Sequence, residues 1–351
     1  MKIVVTIKDF ENDMSQFNFL IPSIGDSMEK LIYQLVNLDG PPIDINGLNT
    51  IHFTDNYRSE LFHFQELIGN DTFSTSNKIG SGHAQVVTAK EGKAPPDVVG
   101  YHIFIDKIIP LTILVSNSTE NSQEVIDKDI INQVRDTKNV YIRMIRHELA
   151  HVEDHNNQKK WNWFKEAFKS SDLQATLRYS GYRLWEEFYA CKRSNFIYNI
   201  ENAINELDTL NSSLETAEKE ICDLRWKYNF QQISLDEFVS QLYDYIITAF
   251  IYCCYFMGHM DKIHDSIIKN LYSEQYPSRF YPFIPKIWDT LERMAEHYPN
   301  WNGPEIFDDL ASIIKRSIES FEIYPNETPE GTYYKIPIRR LKTKKEEAKL
   351  I

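Results

Sequence analysis

The run Arg146-His147-Glu148-Leu149-Ala150-His151 brings three side chains capable of chemistry into little more than one helical turn. On a helix, four residues advance about 400°, so His147 and His151 share a face about one turn apart. Two imidazoles so placed can ligate one Zn²⁺ at about 2.0–2.1 Å each. Glu148, next to His147, can reach a water on such a metal without ligating it, and so serve as general base. A helix with two ordinary surface histidines is the bland alternative. Against it, the intervening Leu149 and Ala150 suit packing behind a site helix.

A catalytic zinc takes a third protein ligand and keeps one position open. Asp154 and His155 are nearest in sequence, but Asp154 lies about 10.5 Å along a continuous helix from His147, and His155 further. No glycine between His151 and Asn157 offers a turn that would bring them back. The third ligand is therefore expected from another element, and Leu184-Trp185-Glu186-Glu187-Phe188-Tyr189-Ala190-Cys191-Lys192-Arg193-Ser194 supplies one. Glu187 shares a helix face with Ala190, Cys191 and Ser194, a stripe small enough for close backbone approach. Glu186 is turned about 100° away, toward Tyr189 and Arg193, which suits a solvated or outer-shell place.

H-E-x-x-H followed by E-x-x-A on a second helix resembles the gluzincin metallopeptidases, especially their compact bacterial members, over roughly residues 45–195. That resemblance implies a zincin-like unit, a small mixed β-sheet followed by two active-site helices. It also implies zinc held by His147, His151 and Glu187, with Glu148 as general base and a peptide or protein as substrate. The family's oxyanion-stabilising Tyr or His finds no match; Tyr182, Tyr189 and His155 all stay open. From about Ile200 onward the chain resembles no family.

These groups need elements to hold them. The first 118 residues carry β signals, and MKIVVTI, LNTIHFTD, SELFHFQE, AQVVTAKE, GYHIFIDKII and LTILVSN read as strands. GYHIFIDKII or LTILVSN is expected to hold an extended peptide by strand addition. One helix, about Asp26 to Leu38, interrupts the strands, capped by Ser23 or Asp26 and ended by Gly40-Pro41-Pro42. From Asp129 the apolar period lengthens to about 3.6, predicting one helix over 129–157 and another over 182–200. The row Ile204, Leu207, Leu210, Leu214, Ala217, Ile221, Leu224 predicts an amphipathic helix, in a bundle in preference to an extended arm. The expected fold is α+β: a zincin-like domain over 1–198, an all-helical accessory region over 199–338 that could bind a protein partner, and a basic tail, 339–351.

Composition narrows the function classes. Of 351 residues, 38 are basic and 51 acidic, a net charge of −13, which argues against a protein that works by neutralising phosphates. The basic tail is read as a solvated terminus. Hydrophobic residues at 42% and aromatics at 13% exclude disorder, and 12 glycines with 14 prolines exclude fibrous classes. The four cysteines, none in C-x-x-C spacing, suggest a reducing compartment. The apolar start is interrupted by Lys8 and Asp9, too early for a signal-peptide core. The apolar run Tyr245 to Gly258 is too short to span a bilayer and reads as a buried core helix. The expectation is a cytoplasmic zinc metallopeptidase without membrane contact. Its rival is a non-catalytic zinc-binding protein acting through the helical C-terminal half. Glu148 separates the two, since a purely structural zinc site has no use for it.

Overall fold

The computed structural model describes residues 2–6, 21–38, 40–54, 56–69, 84–106, 108–120, 128–196, 200–260 and 278–337. The protein is mixed α+β and falls into two compact units. The first comprises residues 1–77, 81–156 and 193–197; the second comprises 78–80, 157–192 and 198–351. Contacts thus group 157–192 with the C-terminal part of the chain, where the sequence reading had placed them with the N-terminal part. The basic tail lies outside the described residues.

In the first unit, β1 (Lys2–Thr6), β2 (Leu48–Thr54), β3 (Ala84–Ala89) and β4 (Gly100–Asp106) form one sheet in the order β1-β2-β4-β3. The first three in that order run parallel, and β3 is antiparallel to β4 at the edge. Side chains alternate across the sheet, as the period of two requires. Ile51, Phe53, Tyr101, Ile103 and Ile105 face a core shared with α1 (Ile21–Val36), α3 (Ile108–Glu120) and the long helix α4 (Lys128–Gln158). Val87, Ala89 and Phe104 join a separate cluster with Tyr57 and Leu61 of α2 (Tyr57–Leu67). At Gly100, φ is +135°, and a Cβ there would stand 2.7 Å from the Gly47 carbonyl oxygen, so glycine is required where these two segments meet.

Two expected strands are helices. SELFHFQE lies in α2, where Tyr57, Leu61 and Gln65 are buried at a spacing of four. LTILVSN lies in α3. GYHIFIDKII is a strand only as far as Asp106, and it is central, paired with β2 on one side and β3 on the other. Neither segment can take up a peptide by strand addition, because one is helical and the other has both edges used.

The second unit is built on apolar and aromatic packing. It contains α5 (Leu173–Ser194) up to Lys192, the helix pair α6 (Ile200–Asn229) and α7 (Leu235–His259), then α8 (Ile284–His297) and α9 (Asp308–Ser320). A hairpin of β5 (Tyr324–Thr328) and β6 (Gly331–Lys335) follows, so the region is not all-helical. Leu207, Leu210, Leu214, Ala217, Ile221 and Leu224 of α6 are buried in one core with Phe238, Leu242, Ile246, Phe250 and Met257 of α7. Ser234 caps α7 by accepting from the Glu237 amide at 3.1 Å. Trp161, Trp185, Trp301 and Phe307 interlock in the same core, with ring centroids 4.7–5.4 Å apart along the chain of contacts. Among the described residues no helix is long and apolar enough to cross a membrane.

Candidate metal centre

The middle of α4 buries an unusual set of polar side chains. Arg146, Glu148, His151, Glu153, Asp154 and Asn156 are all buried, while Ile145, Leu149 and Val152 enter the sheet core. Leu149 and Val152 anchor the helix and leave His147, Glu148 and His151 to turn elsewhere, as the helical period dictates. Nε2 of His147 and Nε2 of His151 lie 3.0 Å apart, with the two rings nearly perpendicular at 83°. Two nitrogens on one tetrahedral zinc stand about 3.3 Å apart, given bonds of about 2.0–2.1 Å, so the observed spacing is near that of a shared ion. Two neutral imidazoles can also meet at this distance if one donates and the other accepts.

His147 and His151 lie on α4 in the first unit, and Glu187 lies on α5 in the second. Two imidazoles and a carboxylate are the donor set of a catalytic zinc site. Asp154 is fully buried, and the His155 ring packs 5.6 Å from that of Tyr101. Glu186 is engaged by Arg183 at 3.5 Å. Cys191, in the small-residue stripe of α5, serves a packing role, since a Cβ on Gly258 of α7 would fall 2.4 Å from its own Cβ.

Polar contacts at both ends of the motif hold α4 in place. Arg193 donates through Nε to Glu153 at 2.8 Å, and Oε1 of Glu153 accepts from the Asp44 amide at 3.1 Å. Arg193 also donates to the Pro41 carbonyl, and Arg146 to the Leu38 carbonyl. Asn156 donates to the carbonyls of Asp44 and Asn46 at 3.1 and 2.9 Å. The segment 38–46 is therefore fastened to α4 on either side of His147 and His151, which fixes the rotation of the helix about its axis.

The rings of the three sequence candidates for an oxyanion donor pack among aromatic side chains. Tyr182 lies edge-on to Phe164 and Phe307, Tyr189 stacks on Trp185 and is tilted against Tyr298, and His155 is tilted against Tyr101. His102 lies on the sheet face opposite α4, among Phe64 and Phe104. Its Nε2 donates to the Val98 carbonyl at 2.7 Å, so its Nδ1 accepts from His52 Nε2 at 3.2 Å. Burial, the neighbouring His102 and Lys2 bring the His52 pKa down to about 4. His63 is on α2, not on a strand, and is largely exposed.

One residue escaped the sequence reading. Tyr57 opens α2 just beyond the carboxyl end of β2 and is 4% exposed. Its hydroxyl is buried and has no hydrogen-bond partner among the described residues. Burial, and then the carboxylates of Glu148 and Asp106, raise its pKa well above the usual phenol range. The Asp55-Asn56 pair before Tyr57 was the available signal, a helix start that the strand reading of SELFHFQE obscured.

Comparison with protein-family models, with curated protein sequences and with solved structures returns no match. The functional reading rests on the residues themselves.

Proposed function

We propose that the chain is a zinc-dependent metallopeptidase of the zincin-like kind. The observation that carries this reading is the convergence of His147 and His151 at 3.0 Å with buried Glu148 between them in sequence. His147, His151 and Glu187 would hold the zinc, two imidazoles and a carboxylate being the donor set of a catalytic site. When bound, zinc supplies a water of lowered pKa and a Lewis acid for the scissile carbonyl. Glu148 accepts the proton of the attacking water, whose oxygen bonds to the carbonyl carbon. Glu148 then passes that proton to the departing amine nitrogen as the C–N bond breaks, and the water's second proton leaves the new carboxyl group for the amine, giving a carboxylate and an ammonium.

An extended substrate would pair with β3. It is an edge strand, Ala84–Ala89, whose far side is unpaired among the described residues. Backbone pairing there binds a chain with little regard to sequence, and side-chain pockets would add any selectivity.

The test is Glu148→Gln, assayed against wild type with fluorescein-labelled casein after both proteins are loaded with zinc. The expected outcome is unchanged zinc content and a loss of cleavage by at least about 10³-fold. Equal cleavage by the two proteins would remove Glu148 from the mechanism and favour a non-catalytic zinc protein.

A further inference from the structure

We propose that the second unit carries a binding site for a neutral saccharide, in the cleft between α5, α7 and β6. The proposal is independent of the metallopeptidase reading, since none of His147, Glu148, His151 and Glu187 lines the cleft.

The cleft measures about 430 Å³, within the roughly 300–1,000 Å³ of small-molecule sites, and every residue that lines it belongs to the second unit. Ordinary periodicities build its walls. Leu173, Thr176, Ser180 and Arg183 recur at steps of three and four along α5. Ser240, Asp244 and Thr248 recur at four along α7, with Tyr243 and Ile247 beside them. Thr332 and Tyr334, two apart, share one face of β6. Glu327 ties the hairpin to the start of α5, accepting from the Leu173 amide at 2.8 Å and from the Thr332 hydroxyl at 3.3 Å. The strand wall is thereby fixed to the first helix wall.

The lining selects the ligand. Thr176, Ser180, Tyr243, Thr248, Thr332 and Tyr334 all carry hydroxyls, Ser180 buried and the others half-buried. A hydroxyl donates once and accepts twice. Thr176 and Ser180 donate to carbonyls of their own helix at 2.9 Å, and Thr332 donates to Glu327, so these three offer a ligand acceptor positions. The Tyr243 and Tyr334 oxygens lie 3.5 Å apart, longer than the 2.5–3.0 Å of a close O–H···O bond, so the phenols offer donors. Burial holds the Tyr243 phenol well above its usual pKa range, which keeps that proton in place. The complement of donors and acceptors so interleaved is a molecule whose own groups do both, and a sugar is such a molecule.

Charge points the same way. Arg183 and Asp244, of opposite sign, are the two charged residues of the lining, and Arg183 already stands 3.5 Å from Glu186. An anionic ligand needs a cation that is not shared in this way. An apolar ligand would leave the hydroxyls unpaired. Tyr179, 47% exposed and backed edge-on by Phe168 at 5.6 Å, supplies a ring against which the C–H face of a pyranose can rest.

The full chain is titrated calorimetrically with cellotriose, maltotriose, mannotriose and triacetylchitotriose, with glycylleucine and inorganic phosphate as controls. At least one trisaccharide is expected to bind with a Kd of about 1 mM or tighter. Tyr179→Ala should weaken it about tenfold and Tyr243→Phe about fivefold, with thermal midpoints near that of wild type. Neither variant should change the response to glycylleucine or phosphate. Tyr179 is exposed and Tyr243→Phe keeps the ring, so if one variant loses its fold the other decides. Binding of no trisaccharide, or equal binding by wild type and both variants, would overturn the assignment. Glycylleucine binding that Tyr179→Ala weakens would overturn it too, giving the cleft to a zwitterion.

Discussion

Helices α4 and α7 are both long and both largely buried, yet they bury opposite chemistry. Every residue that α7 buries is apolar, aromatic, a small thiol or a glycine, from Phe238 through Phe250 to Gly258. Its two buried thiols, Cys253 and Cys254, are pushed far above the usual thiol pKa, as inert groups in an apolar core should be. Over a similar length, α4 buries Arg146, Glu148, His151, Glu153, Asp154 and Asn156. Burying charge is costly unless each group is paired, and stability alone would be better served by leucines of similar volume. The protein spends stability along α4 that it conserves along α7, and the expense is concentrated around two histidines and a glutamate. Where a fold tolerates buried charge without gaining stability from it, function is the economical explanation.

If that contrast is right, the two helices should fail in different ways. The largest stability effect is expected in α7. Phe250→Ala leaves a cavity among Phe280 and Phe283 and should cost about 4 kcal/mol by denaturant titration, without changing zinc content. A comparable loss of zinc would erase the distinction between the helices. Next comes the clamp on α4. Arg193→Ala leaves Glu153 buried without its guanidinium and should cost about 3 kcal/mol, with a weaker zinc site because 38–46 is released. Unchanged zinc affinity would show that the clamp does not position the histidines.

The most local effect, confined to one pH window, concerns the far face of the sheet. His52 titrates near 6.5 when unfolded and near 4 when folded, so below pH 6.5 the unfolded chain binds the extra proton first. Stability should therefore be intact above pH 6.5 and fall progressively down to pH 4. His52→Gln should flatten the slope in that window. An unaltered slope would assign the acid sensitivity to other groups.

The helix that carries the histidine motif was easier to read than the scaffold around it. The spacing of His147 and His151 is local, and one helical turn converts it directly to their 3.0 Å approach. Glu187 is on a second helix, as expected, and its place as a ligand belongs to the proposal. SELFHFQE reads as a strand by the alternation of Leu61, His63 and Gln65 with Phe62 and Phe64, whereas tertiary packing selected the spacing of four through Tyr57, Leu61 and Gln65. LTILVSN is a short apolar run of the sort that periodicity cannot assign. The start of α5 was missed by nine residues because Asp172 was overlooked. Its carboxylate accepts from the Ala175 amide at 2.7 Å, a cap whose hydrogen bonds hold that carboxyl below its ordinary pKa. The β5–β6 hairpin also passed unnoticed, although Pro329-Glu330-Gly331 marks its turn.

The account stands on α4 carrying a metal. The most direct test is the zinc content of untagged protein by elemental analysis, after dialysis against zinc and then against metal-free buffer. The comparison set is wild type, Glu187→Gln and Glu186→Gln, each then titrated with a competing chelator. The account predicts about one zinc per chain in wild type and in Glu186→Gln. It predicts severe weakening in Glu187→Gln, beyond the roughly 10–100-fold expected for an outer-shell group. Protein that retains no zinc, or a Glu186→Gln variant that loses zinc more readily than Glu187→Gln, would contradict it.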